Sequence, residues 1–238
     1  MNLVLLNEND FTDNTHVRIS GRRFEHLTRV TKIKLNDTVI CGQINGKTGT
    51  GTVQTITEDC CDIEVFLDTE PPAPLPMNLV LALPRPKMIR RIIQAVTTLG
   101  VKNIFLINSW RVEKSYWQSP FLKQENLEQQ MILGLEQAKD TVLPVIHFKR
   151  FFKKFVENEL PDISKGTRRI TAHPKTKTLC PSGINAPLTL VIGPEGGFID
   201  IEIQTLENQG FQSYHIGPRI LKVETAVPYL ISRMFTTG

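Results

Sequence analysis

Two glycine-proline bends near the carboxyl end hold the residues best suited to chemistry. Gly193-Pro194-Glu195-Gly196-Gly197 closes the apolar run Leu188–Ile192, and Gly217-Pro218-Arg219 closes a second short run over 212–216. Glycines let a main chain approach a ligand closely because no Cβ intervenes. Leu190, Ile192, Ile216 and Leu221 offer an apolar slot beside the bends. Arg219 and Glu224 add a cation and a carboxylate, the groups that stabilise a developing anion and accept a proton. The same two residues would also suit a fixed ion pair. Each bend follows a predicted strand and precedes a predicted helix. In an open α/β sheet that is where ligands bind, so the two bends form the candidate ligand site.

The elements that must position this site alternate. Past the proline-rich segment Pro71-Pro72-Ala73-Pro74-Leu75-Pro76, strands are predicted at 78–83, 103–107, 145–148, 169–172, 188–192 and 212–216. Helices are predicted at 87–99, 125–139, 151–158 and 200–208, with a last one after Thr225. In the first helix Met88, Ile92, Val96 and Leu99 fall on one stripe, and in the second Leu127, Met131, Leu135 and Ala138 face inward. Asp200 is the expected cap of the helix ending near Asn208, with Gly210 as its stop. This alternation predicts an α/β layer with a largely parallel sheet. Before the prolines the pattern is β: Val4–Leu6, Thr38–Gln43, 52–56 and 62–67, with a glycine-rich turn over 45–51 and one short helix over 22–30. Short strands with glycine turns predict a small barrel. The expected boundary is the proline segment.

The chain has 238 residues, 40% of them hydrophobic and 22% charged, with a formal net charge of +4. That is an ordinary globular balance with a mild basic excess compatible with a polyanion. The four cysteines, Cys41, Cys60, Cys61 and Cys180, form no C-x-x-C pair and the histidines are scattered, which argues against a zinc site; no metal is expected. The start MNLVLLNEND lacks a basic n-region, and no apolar run reaches membrane-spanning length. A reduced, cytoplasmic protein is the expectation. Gly46-Lys47-Thr48 mimics the end of a P-loop, but position 41 is Cys rather than Gly and a strand follows, which excludes that motif. No G-x-G-x-x-G follows a strand, which argues against a nicotinamide dehydrogenase.

Basic groups recur at Arg22, Arg23 and Arg29, at Arg85, Lys87, Arg90 and Arg91, and at Lys149, Arg150, Lys153 and Lys154. Singly each reads as a solvated face; together they could follow a nucleic-acid backbone. Trp110, Tyr116 and Trp117 are either structural or stack on an unpaired base.

The carboxyl-terminal motifs resemble those of the SPOUT methyltransferases, and within them the RsmE family, which methylates uridine N3 in 16S ribosomal RNA. The resemblance rests on Ile192-Gly193-Pro194-Glu195-Gly196-Gly197-Phe198 and on Gly217-Pro218-Arg219-Ile220-Leu221-Lys222-Val223-Glu224-Thr225-Ala226. His26-Leu27-Thr28-Arg29-Val30, Leu83-Pro84-Arg85-Pro86-Lys87, Leu99-Gly100-Val101, Arg111 and His173-Pro174 extend it along the chain. It implies a PUA-like RNA-binding β-barrel domain over 1–72 and a SPOUT methyltransferase domain with a C-terminal trefoil knot over 73–238. It also implies a homodimer, S-adenosyl-L-methionine as cofactor, and 16S rRNA of the small ribosomal subunit as partner. Cofactor-binding residues would be His173, Leu190, Ile192, Gly193, Pro194, Glu195, Gly196, Gly197, Ile216, Gly217, Arg219, Ile220, Leu221, Thr225 and Ala226. Arg219 and Glu224 would be catalytic, and Arg22, Arg23, Arg29, Arg85, Lys87 and Arg111 would bind RNA. The chain departs from the family where Glu136-Gln137-Ala138-Lys139-Asp140 lacks the usual Gly and Arg, and where Ala95 and Thr98 replace a usual Lys and Glu. The alternative reading is an RNA-binding protein of the same fold whose methylation is lost or retargeted.

Overall fold

The computed structural model of the protein describes residues 1–184 and 186–235. The chain divides into two units, one made of residues 1–73 with 131–143, the other of residues 74–130 with 144 onward.

In the first unit β1 (Val4–Leu6), β2 (His16–Ser20), β3 (Thr38–Gln43), β4 (Thr48–Ile56) and β5 (Cys60–Thr69) form one sheet in the order β1-β3-β4-β5-β2. Only the β1–β3 pair is parallel. Strand β2 has no counterpart in the sequence reading, and β4 begins four residues before the predicted 52. Two glycines assigned to a turn are strand residues instead: a Cβ at Gly51 would collide with Ile63 and Cys41 in the core, so the sheet needs a bare backbone there. The short helix α1 (Gly21–His26) runs into a π turn at Leu27–Thr31 and stops at Lys32, which adopts a left-handed conformation with φ 57°. Val4, Leu6, Val17, Ile19, Phe24, Leu27, Val53 and Ile63 form the core. Residues 131–143 add a second small cluster, in which Leu135 is buried with Leu3 and Leu5.

The second unit carries a six-stranded sheet. Its strands are β6 (Met77–Ala82), β7 (Asn103–Ile107), β8 (Val145–Lys149), β9 (Arg168–Ala172), β10 (Leu188–Ile192) and β11 (Gln212–Tyr214). The order is β11-β9-β10-β6-β7-β8 and every pair is parallel. The helices are α2 (Pro86–Thr98), α3 (Gln124–Ala138), α4 (Phe152–Asn158), α5 (Leu160–Ile163), α6 (Asp200–Asn208) and α7 (Val223–Met234). Strands β6 and β10 are buried almost throughout, as sheets covered on both faces require. Full burial of a leucine such as Leu79 or Leu190 contributes about 1.5–3 kcal/mol.

The stripe of α2 is rotated from the predicted one: Ile89, Ile92, Ile93, Val96 and Thr97 are buried, while Met88 and Leu99 are half-buried. Asp200 is the first residue of α6 rather than its cap. Glu202 does the capping instead, taking the Ile199 N–H at 3.0 Å and the Trp110 N–H at 2.7 Å. Gly210 ends the turn after α6 with φ +80°. The helix α3 matches its predicted span, but from Met131 on it belongs to the first unit. It ends on Lys139, whose φ is +56°. The chain thus adopts, with a lysine, the left-handed turn that glycine usually supplies.

Candidate functional site

In the second unit the carboxyl ends of β9, β10 and β11 open onto one cavity of about 270 Å³. Ala172 ends β9, Ile192 ends β10 and Tyr214 ends β11, and each is followed into the lining by the next residue, His173, Gly193 and His215. The bend after β10 is a turn closed by the Gly197 N–H on the Pro194 carbonyl at 2.7 Å. Gly197 has φ +70° and Gly217 φ +119°, conformations that L side chains rarely adopt. A Cβ at either would meet no protein atom within 4 Å, so both bends present open main chain. Gly193 differs: a Cβ there would press on Phe198 and Gly197, so it is needed for the fold of the bend itself.

The cavity brings together all the predicted cofactor-binding residues except two. Leu190 is fully buried in β10, one turn of the pleat below the cavity floor. Thr225 is exposed on the first turn of α7. Pro174, which the resemblance placed beside the cofactor pocket, also lines it, whereas sequence reasoning missed Ala172, Lys175, Tyr214, His215, Val223 and Leu230. The strand-end residues among them were findable from the alternation. Val223 and Leu230 were not, because only the tertiary fold turns that face of α7 toward the sheet.

His173 lies on the wall of the cavity, and its buried Nδ1 has no hydrogen-bond partner among the described residues. Burial, with the Lys175 cation nearby, holds its imidazole below the usual histidine range. The shift favours the neutral imidazole. Arg111 is placed against the bend rather than away from it: its Nη1–H donates to the Gly196 carbonyl, and its stem packs where a Gly196 side chain would sit. Glu195 points out of the bend and takes the Arg85 N–H at 3.0 Å.

Arg219 is exposed and lines the cavity. Glu224 does not. It lines an adjoining hollow with Arg85, Met88, Arg91 and Lys222, and the two hollows share Glu195, Ile220 and Leu221. No ion pair joins Arg219 to Glu224 among the described residues. Lys87 is exposed on the first turn of α2. In the first unit Arg29 is exposed. Arg22 forks onto Glu136 at 2.9 and 2.6 Å, and Arg23 onto Asp10 at 2.5 and 2.7 Å. Their charges are matched within the fold. Among the described residues no group of three His, Cys, Asp or Glu could hold a metal ion, and no helix is long and apolar enough to cross a membrane.

Comparison with known proteins bears on this arrangement. The family model described as "RNA methyltransferase domain" matches residues 71–235. Ribosomal RNA small subunit methyltransferase E of Treponema pallidum is 31% identical over 95% of this chain and 87% of its own length. The chain belongs to this family. A second small subunit methyltransferase E, that of Borreliella burgdorferi designated E 1, is 27% identical over 95% of the chain and 94% of its own length. Among solved structures, the small subunit methyltransferase E of Neisseria gonorrhoeae, bound to S-adenosyl methionine, superposes with a TM-score of 0.74. It covers 98% of this chain and 95% of its own at 20% identity, which shows the shared methyltransferase E fold.

Proposed function

We propose that the chain methylates N3 of a uridine in 16S rRNA of the small ribosomal subunit, with S-adenosyl-L-methionine as methyl donor. The observation that carries this is the single cavity formed where both glycine-proline bends meet the carboxyl ends of β9, β10 and β11. Membership of the methyltransferase E family gives the reaction class. The relatives carry ribosomal RNA small subunit in their names, and the Neisseria structure holds the donor.

The residues present fit that donor. The cavity pairs an apolar wall, Ile192, Leu221, Val223 and Leu230, with the unpartnered His173 Nδ1 and two stretches of bare main chain. That is the mix an adenosine with a charged amino-acid tail requires. Bound there, the donor would supply an electrophilic methyl group. The chain's own residues do the rest. Uridine N3 carries a proton at neutral pH, so it must be removed or the uracil anion stabilised. In this reading Glu224 accepts the N3 proton. Arg219, which lines the cavity, would hold the negative charge on a uracil oxygen. The two residues lining adjoining hollows, rather than pairing with each other, favours these separate roles. Main-chain groups of both bends position the reactants, and positioning supplies much of the rate.

The finer architecture belongs to the same reading. A PUA-like barrel over roughly the first 72 residues is supported by the five short strands and the register shifts between β4 and β5. A trefoil knot in the SPOUT domain of 73–238 is supported by the end of α7. There Arg233 and Met234 carbonyls accept the Gly183 and Ile184 N–H groups, and Arg233 Nε donates to Cys180. A homodimer is supported by two large exposed apolar side chains, Ile220, 86% exposed on the cavity rim, and Tyr229, 43% exposed on α7. Action on cytoplasmic ribosomal subunits follows from the substrate.

The test is calorimetry with S-adenosylmethionine followed by a nucleoside map of rRNA from a deletion strain. Heat of binding and loss of one N3-methyluridine are expected. Silence in the calorimeter would leave an RNA-binding protein of this fold.

A further inference from the structure

The carboxyl edge of the sheet carries another hollow that the reaction above does not use. It lies beyond β7 and β8, has a volume of about 330 Å³, and is lined by Trp117, Lys123, Phe148 and Arg150 among others. Its side chains are arranged for stacking. The Trp117 indole is fixed by its Nε1–H on the Asn108 Oδ1 at 2.9 Å, and Asn108 directly follows β7. Phe148 meets Trp117 edge-on, with centroids 6.4 Å apart at 68°. The Arg150 guanidinium lies 5.2 Å from the indole centre. Phe148 is 45% exposed, an unusual position for a large aromatic on a sheet edge. Among the described residues no carboxylate lines the hollow, while Lys123 and Arg150 do, and both are exposed. Glu157 and Glu159 nearby are engaged by Lys153 at 3.8 Å and Lys149 at 2.5 Å.

We infer that this hollow is a stacking shelf for an unpaired RNA nucleotide, with Phe148 and Trp117 receiving the base and Arg150 and Lys123 the phosphates beside it. Fixed aromatics with a guanidinium are how proteins hold single-stranded RNA. An edge aromatic alone would suit a protein partner equally. The excess of positive charge and the absence of lining carboxylates favour a polyanion. Its place on the same sheet edge as the cavity favours it too. From β10 to β8 the sheet steps across β6 and β7, three strand spacings or roughly 14 Å along the same edge. A strand whose target base enters the cavity would pass the shelf within a few nucleotides. The inference rests on the RNA methyltransferase reading for its substrate and adds where a neighbouring base is held. Sequence inspection singled out Trp117 but not Phe148 or Arg150 as its partners, because only β8 pairing beside β7 brings them together.

The experiment measures affinity for a labelled single-stranded oligouridylate and for an RNA duplex by fluorescence anisotropy. Wild type is compared with Phe148→Ala, Phe148→Tyr and the pair Phe148→Ala with Arg150→Ala. Loss of one stacked base predicts about 10- to 100-fold weaker single-strand binding for Phe148→Ala. A larger loss is expected for the pair, near-wild-type binding for Phe148→Tyr, and little change on the duplex. Photo-crosslinking of a 4-thiouridine oligonucleotide to the unaltered protein should mark peptides holding Trp117 or Phe148. Unchanged single-strand affinity, crosslinks only elsewhere, or a change of oligomeric state with no change in RNA affinity each overturns the shelf. S-adenosylmethionine calorimetry on the same samples keeps the two readings apart. Failure there removes the methyltransferase reading and leaves the anisotropy result standing on its own.

Discussion

Replacing Gly197 by alanine separates the cradle from the fold, because Gly166 supplies a matched control. Gly197 has φ +70° and Gly166 φ +72°, and a Cβ at either meets no protein atom within 4 Å. Gly197 lines the cavity; Gly166 precedes β9 and lines none of the described hollows. Left-handed backbone costs an L residue about 1–2 kcal/mol. The stiffer unfolded chain returns about 0.4–1 kcal/mol. Both variants should therefore lose about 1 kcal/mol, or roughly 2–4 °C in Tm for a chain of this size. Only Gly197→Ala adds a methyl to the cavity proposed to hold the donor. Overpacking of a fitted site costs about 1–3 kcal/mol, which is roughly 5- to 150-fold in Kd. Calorimetry with S-adenosylmethionine reads the difference directly. If both variants bind it equally well, the Gly193–Gly197 bend is not the cradle and the site assignment fails.

Other outcomes follow from the same geometry. Arg219→Ala should abolish methylation while leaving most of the donor affinity, read by single-turnover transfer alongside calorimetry; normal turnover would remove Arg219 from the reaction. Lys139→Gly should raise stability by about 0.5–1 kcal/mol, because it relieves the left-handed strain at φ +56°; an unchanged or lower denaturation midpoint would count against that. Acid should destabilise the protein. Burial holds His26, His147 and His173 below the usual histidine range, so the unfolded chain binds protons that the folded one refuses. Their contribution is complete above the unfolded value near 6.5 and is lost as pH falls from there toward the lower folded values. A Tm that stays flat from pH 7 to pH 5 would contradict it. Burial pushes the Cys41 thiol up to about 12 and the Cys61 thiol up to about 11. Native protein at pH 8 should thus leave both unmodified by iodoacetamide, and mass mapping that finds them alkylated would show that this core opens.

Much of the parallel sheet was legible in the chain. Runs such as Asn103–Ile107 and Leu188–Ile192 are short, apolar and bounded by turn residues, and each forms a strand with those limits. Strand β2 was not, because His16–Ser20 alternates over only five residues with arginine and serine on its open face. The cavity was mostly legible for a different reason. Its walls are strand ends and bends, so position in the alternation locates them. Arg111 shows where local reading stops. The resemblance implied RNA binding for it, yet its guanidinium is turned onto the Gly196 carbonyl, and only the pairing of β6 with both β7 and β10 brings those segments near. The shared task of Glu202, capping α6 while holding the Trp110 N–H, was hidden for the same reason.

The first unit is discontinuous in sequence. Leu3 and Leu5 find their partner Leu135 only after the chain has run from Ala73 to Leu143. On a translating ribosome that stretch takes on the order of 4–14 s to synthesise. During that interval the nascent sheet bears an uncovered leucine edge and an Arg22 still awaiting Glu136. Amino-terminal fragments cut at the proline segment would keep that edge bare for good. A clone of this unit alone therefore needs residues 131–143 grafted back, and a chaperone that engages the growing chain has a defined window in which to act.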